Sequence, residues 1–243
     1  TIDCGRQDLI YGPKVSTPVL DALAEEGVKF EEAFSQTNIT LPSHYSMFTG
    51  RYLVEHGLYA NHAYIYKSLP KDSLIHILGN AGWRTAAFCS VGFLASTLGQ
   101  EFADHDSLPF ESSSTWHGES TTPPGVRRGP DTVDRALEWL RAHAKEPFFL
   151  WVHLFDTHML YWAQKPFLDV YLPKDLQVEG ETVLERLKRL GMSYAPFEKD
   201  LSSVHDMRYF PALHRAATSN TDAEIGRLIA ALRELGVYDE TFI

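Results

Sequence analysis

The run Phe-Phe-Leu-Trp-Val-His-Leu over residues 148–154 constrains the fold more than any other stretch of the chain. It is short for a buried helix, and its β-former content fits a strand covered on both faces. An amphipathic pattern beginning at Asp131, with Val133, Ala136, Leu137 and Leu140 on one side, precedes it. The same order occurs earlier in the chain. Leu74, Ile77, Leu78 and Ala81 recur at helical spacing, Gly82 closes that helix, and residues 83–88 read as a buried strand. Helices alternating with strands build a parallel sheet with crossover helices. The predicted fold class is therefore α/β, a mostly parallel sheet flanked by helices on both faces. Open sheets of this kind place their sites beyond the carboxyl ends of strands. Residues 148–154 deliver Asp156, Thr157 and His158 to that edge, while His153, inside the run, reads as a core histidine.

A second stretch, residues 40–52, is where the chemistry belongs. Pro42 suits the first turn of a helix, because its missing N–H would have no intrahelical partner there. Gly50 supplies the left-handed residue that ends a short helix. Thr40 then lies at the positive end, beside unpaired backbone N–H groups that favour a phosphate or sulfate group. Its hydroxyl becomes a nucleophile only if its pKa is lowered, and with no general base adjacent in sequence a metal ion is the agent indicated. Taken alone, the segment also fits a threonine cap on an ordinary helix.

Other signals are local. Thr17-Pro18 opens a helix carrying Leu20, Leu23 and Ala24, closed by Gly27. Residues 28–34 alternate in part and predict a strand leading to Thr40. Residues 111–130 are rich in Ser, Thr, Gly and Pro and predict a surface loop. Residues 164–211 read as an irregular insert over the site, with one helix at 182–190. Thr221-Asp222-Ala223-Glu224 has the form of a capping box opening a helix with Ile225, Leu228, Ile229 and Leu232 inward. Residues 241–243 read as the start of a further strand.

The ordered set of segments resembles the sulfatases and their relatives in the alkaline phosphatase superfamily. Their nucleophile segment reads Cys/Ser-x-Pro-x-Arg, then Thr-Gly-Arg-Tyr; here Thr40, Pro42, His44 and Thr49-Gly50-Arg51-Tyr52 match those places. The resemblance implies that Thr40 is the attacking group and His44 a substrate contact. Asp3-Cys4-Gly5-Arg6-Gln7-Asp8 resembles the family's opening Asp-x-x-Arg-x-Asp, which makes Asp3 a metal ligand together with Thr40. Many sulfatases carry a second Asp after the first, and Cys4 stands in its place. Asn61 matches an asparagine that contacts anionic oxygens in phosphate- and phosphonate-cleaving relatives, and an amide is a suitable donor. His158, followed by Tyr161, matches a histidine that meets the anionic group or leaving oxygen. No lysine follows residues 83–88 in Ser90-Val91-Gly92-Phe93, unlike ordinary arylsulfatases. Neither Cys4 nor Cys89 lies in the Cys-x-Pro-x-Arg context, so the family's formylglycine cannot form at either.

The implied activity is a hydrolase or transferase dependent on a divalent metal ion (calcium, manganese or zinc). It would cleave phosphate, phosphonate or sulfate esters through a threonine, with phosphorus esters or phosphoglycerol-type transfer ahead of sulfate. Residues 1–243 would form one sulfatase-like domain whose family continues into a strand bearing an Asp-His or Asp-Asn metal pair. Asp3 and Thr40 alone are too few ligands for tight binding, so a further segment or a second chain would complete the site. The alternative is a non-catalytic fragment or pseudoenzyme that binds a partner. A net charge of −10 argues against nucleic acid as the main partner. No apolar run reaches the roughly 20 residues of a membrane span, and the compartment stays open.

Overall fold

The computed structural model describes residues 1–61, 66–106, 115–116, 120–121, 125–159, 161–192 and 201–243. Of the loop expected over 111–130, half lies outside them, as do Leu160 and part of the expected insert; the described half holds two short strands at 115–116 and 120–121 and, from Gly129, the start of a helix. In chain order the helices before the sheet are α1 (Gln7–Ile10), α2 (Pro18–Glu26), α3 (Thr40–Thr49), α4 (Leu53–His56) and α5 (Leu74–Asn80). There follow β1 (Arg84–Cys89), α6 (Gly92–Ala95) and the short strands β2 (Asp104–His105), β3 (Thr115–Trp116) and β4 (Ser120–Thr121). The last elements are α7 (Gly129–His143), β5 (Phe148–His153), α8 (Lys165–Tyr171), α9 (Val183–Arg189) and α10 (Tyr209–Glu234).

β1 lies between β2 and β5 and is parallel to both, with Arg84 opposite Phe148 and Cys89 opposite His153. The period-2 alternation of β1 divides the core between two faces. Ala87 and Cys89 join Leu41, Tyr45 and Phe48 of α3, Ile75 of α5 and Trp151 on one face. Ala86 and Phe88 join Val133, Leu137 and Leu140 of α7 and Ile229 and Leu232 of α10 on the other. The sheet is thus covered by helices on both sides, as predicted. Leu41 and Leu140 are 0% and 1% exposed, and burial of each contributes about 1.5–3 kcal/mol.

The outer side of β5 takes the start of the chain. Ile2 bridges Leu154 in parallel, the Asp3 N–H donates to the Leu154 carbonyl at 2.9 Å, and the Leu154 N–H donates to the Thr1 carbonyl at 2.9 Å. Asp3 is thereby fixed at the carboxyl end of β5.

Several expectations are corrected. Residues 28–34 form no strand: Val28 and Phe30 are each 78% exposed and Phe34 82%. No neighbouring backbone among the described residues satisfies their N–H and C=O groups, and a strand needs one. Residues 241–243 likewise form no strand. Thr221 and Asp222 lie inside α10, not at a helix start. The Asp222 carboxylate instead accepts from Leu20 N–H at 2.8 Å and Val19 N–H at 3.2 Å, capping α2. Thr17 makes no cap bond of its own; its hydroxyl donates to the Ile10 carbonyl. In α5 the inward residue is Ile75, whereas Leu74 and Ile77 are 43% and 53% exposed.

Candidate active site

α3 begins at Thr40 itself, with Ile39 as its extended flanking residue and Pro42 within the first turn. Thr40 is therefore the first helical residue rather than a cap, and its side chain makes no capping bond. Gly50, at φ 65°, ends the helix, its N–H donating to the Ser46 carbonyl at 2.8 Å. Leu41, Tyr45 and Phe48 fall on one stripe and anchor α3 to the sheet. That anchorage leaves Thr40 half-buried at the rim. Asn61 reaches the same end, where its Oδ1 accepts from Leu41 N–H at 2.8 Å. The side-chain NH2 is then the part of Asn61 suited to meet an anion.

His44 is turned inward from the place implied for a substrate contact. It is buried, its Nδ1 lies 2.8 Å from the Thr40 carbonyl, and its Nε2 lies 3.2 Å from the Thr1 hydroxyl. Its ring meets His153 edge-on at 5.0 Å. Burial first, then the neighbouring His153, lower its pKa to about 4, so it is neutral at neutral pH. His44 secures the first turn of α3 against the interior.

His153 is fully buried, as a core histidine should be, yet it has a second role that composition gave no reason to expect. Its Nε2 donates to Asp3 Oδ2 at 3.2 Å. Burial lowers the pKa of His153 and favours the neutral ring. For Asp3, burial acts upward, but the His153 hydrogen bond, followed by electrostatic attraction from the His153 and His158 side, outweighs it and holds the carboxyl at about 2. Thr157 fixes the backbone below, its hydroxyl donating to the Asp3 carbonyl.

His158 closes the same space from beyond β5. Its N–H donates to the Phe155 carbonyl at 2.9 Å, and its ring stacks on Phe155 at 4.2 Å. Nδ1 sits 2.6 Å from the Met159 carbonyl, which fixes Nδ1–H as donor and leaves the Nε2 lone pair open in the neutral ring. Donor atoms of Asp3, Cys4 and His158 all lie within 4.8 Å of one another. An ionised carboxylate, an imidazole and a thiol are donor types that fit a divalent cation. Partial burial of the sulfur, then the Asp3 charge, push the Cys4 thiol up to about 12.

Behind this cradle, Asp156 is buried and accepts from Gly129 N–H, the first residue of α7, at 3.0 Å. A β-carbon at Gly129 would lie 2.2 Å from Asp156 Oδ2, so only glycine fits there. The structure thus gathers Asp3 and His158 at one end of β5. It ties Thr40 to that end through the His44–His153 contact and sets Asn61 at the start of α3. The pairing of His153 with Asp3 spans 150 positions. Its only sequence trace is that His153 shares a strand face with Trp151, toward α3.

The sulfatase family model matches residues 5–243. An ulvan-active sulfatase of Formosa agariphila is 40% identical over 257 aligned residues, covering 95% of this chain and 45% of that protein. The human N-sulphoglucosamine sulphohydrolase is 24% identical, with 94% of this chain and 45% of that one aligned. Among solved structures, a phosphonate monoester hydrolase from Silicibacter pomeroyi superposes with a TM-score of 0.69 at 21% identity, covering 99% of this chain and 59% of its own. The chain therefore spans about half the length of the curated relatives it matches. A fold with helices on both faces of a parallel sheet, and a family match over nearly its whole length, make this chain a member of the sulfatase family.

Proposed function

We propose that the protein hydrolyses sulfate, phosphate or phosphonate esters, with Thr40 as nucleophile. The observation that carries this reading is the link between two ends of the fold. Thr40 opens α3, its carbonyl holds His44, His44 packs on His153, and His153 holds the ionised Asp3. The Thr40 oxygen gives up its proton and attacks sulfur or phosphorus in line, the bond from that atom to the ester oxygen breaks, and the ester oxygen leaves with the bonding electrons and gains, overall, the proton that Thr40 released. Water then cleaves the bond to Thr40, returning its hydroxyl and releasing the acid. Asp3 would hold a divalent ion, which when bound supplies positive charge and lowers the hydroxyl pKa. With the Leu41 N–H taken by Asn61 and the Ser43 N–H by the Ile39 carbonyl, the Thr40 N–H and the Asn61 NH2 are the donors at the start of α3 suited to the non-bridging oxygens that gain charge.

The 40% identity to an ulvan-active sulfatase favours a sulfate ester on a polysaccharide. The absence of a lysine in Ser90-Val91-Gly92-Phe93 and the phosphonate hydrolase likeness favour phosphorus esters. Parallel assays on aryl sulfates, ulvan oligosaccharides and aryl phosphonates decide between them. Thr40→Ala should abolish turnover of whichever ester is used, with circular dichroism unchanged, and Thr40→Ser should keep part of it. Turnover by Thr40→Ala at the parent rate would overturn the assignment.

A further inference from the structure

Cys4 has no part in the chemistry derived above, yet it stands at its centre. It occupies φ 53°, a left-handed conformation that favours glycine, and its sulfur lies within 4.8 Å of an Asp3 carboxylate oxygen. Cys4 and Asp3 share the space with the open Nε2 of His158, all donor atoms lying within 4.8 Å. We propose that Asp3, Cys4 and His158 form one mixed oxygen–sulfur–nitrogen cation site, so that this chain selects a zinc-class ion over calcium or magnesium. The assignment rests on the proposed function only in treating that ion as the cofactor of the same site.

The donor chemistry carries the choice. Calcium takes six to eight oxygens and magnesium a near-octahedral oxygen shell, whereas this cradle offers one carboxylate, one sulfur and one imidazole. Thiolate and imidazole are ligands that suit zinc and cobalt. Zinc bonds of about 2.0–2.3 Å hold tetrahedral donors roughly 3.5 Å apart. A spread of up to 4.8 Å leaves the side chains little more than about 1 Å to close, and Cys4 is exposed enough to make that movement. The outer supports are in place. Nδ1–H of His158 is held by the Met159 carbonyl, and Oδ2 of Asp3 is held by His153; ligating side chains characteristically have such partners. His158 becomes a ligand in this arrangement, rather than the ester contact its place in the family implies.

The test is a cobalt titration of the chelator-stripped protein, read by absorption. The expected result is a sulfur-to-cobalt charge-transfer band in the near ultraviolet that saturates stoichiometrically. Zinc should displace the cobalt and excess calcium should not. Cys4→Ser should lose the band and weaken zinc binding by at least about a hundredfold. Cys4→Asp should lose the band and gain calcium affinity relative to zinc. His158→Ala should keep the band and bind cobalt at least about tenfold more weakly. Cobalt binding without the band, no cobalt binding at all, or a folded Cys4→Ser that binds zinc like the parent would each overturn the proposal. A missing band with Thr40-dependent turnover intact defeats the ligand assignment alone. A normal band with a fully active Thr40→Ala defeats the nucleophile alone.

Discussion

Replacing His153 probes the joint between the strand core and the site. Asp3 stands at about 2 against an ordinary 3.8, and each tenfold change in proton affinity is worth about 1.4 kcal/mol. The ionised carboxylate therefore adds about 2–3 kcal/mol to the folded state. Because the folded pKa is depressed, this contribution is present above pH 3.8 and is lost as the pH falls through about 2. His153→Leu removes the donor to Asp3 Oδ2 and leaves burial, which acts upward, with less opposition. Leaving the buried Asp3 carboxylate without that donor costs about 2–3 kcal/mol. His153→Gln, which keeps an N–H donor, should cost about 1–2 kcal/mol. Urea unfolding at pH 7 with chelator present measures both losses, and a carbon NMR titration reads the Asp3 carboxyl directly. In His153→Leu that carboxyl should titrate well above its parent value. A His153→Leu protein within about 0.5 kcal/mol of the parent, with Asp3 still titrating at the parent value, would refute the reasoning.

Asp222→Ala strips the acceptor from the Val19 and Leu20 N–H groups and should cost about 2 kcal/mol, with Asp222→Asn losing about half as much; a thermal melt showing no change would remove α10 as the cap of α2. Burial, aided by Glu224, raises Asp156 to about 7 against the Gly129 hydrogen bond and the Arg128 charge. Its contribution to stability is therefore complete below 3.8 and is lost as pH rises through about 7, on the order of 4 kcal/mol over that window. Asp156→Asn should flatten that slope in urea unfolding from pH 4 to 8, and an unchanged slope would assign it to another group.

Where sequence periodicity faced a finished surface, it was legible. β1 is a buried run of strand length, β5 is a strand of the expected place and length with only Trp151 and His153 fully inside, α7 buries the predicted Val133, Ala136, Leu137 and Leu140, and α9 carries the Thr182–Glu185 capping box. Local signals failed where tertiary contacts decide. The Thr221-Asp222-Ala223-Glu224 pattern is a sound helix start by itself, but α10 runs straight through it and lends Asp222 to another helix. Residues 28–34 alternate as a strand would, yet alternation supplies no partner backbone. The placement of Thr40 in the first turn of α3 was legible from Pro42 and Gly50, because capping and turn chemistry are local. The gathering of Asp3, His153 and His158 was not, since it depends on Ile2 lying beside Leu154. Chain pairings of that separation leave no periodic trace, and the left-handed Cys4 has none either.

The central claim is that Thr40 forms a covalent bond to the transferred group. A rapidly quenched reaction with an activated phosphonate or sulfate ester, digested and read by mass spectrometry, tests it directly. The peptide containing Thr40 should carry the mass of one phosphonyl or sulfonyl group, fragmentation should place it on the threonine oxygen, and Thr40→Ala should carry none. Label on another residue, or efficient turnover with no labelled peptide at any quench time, would contradict the account.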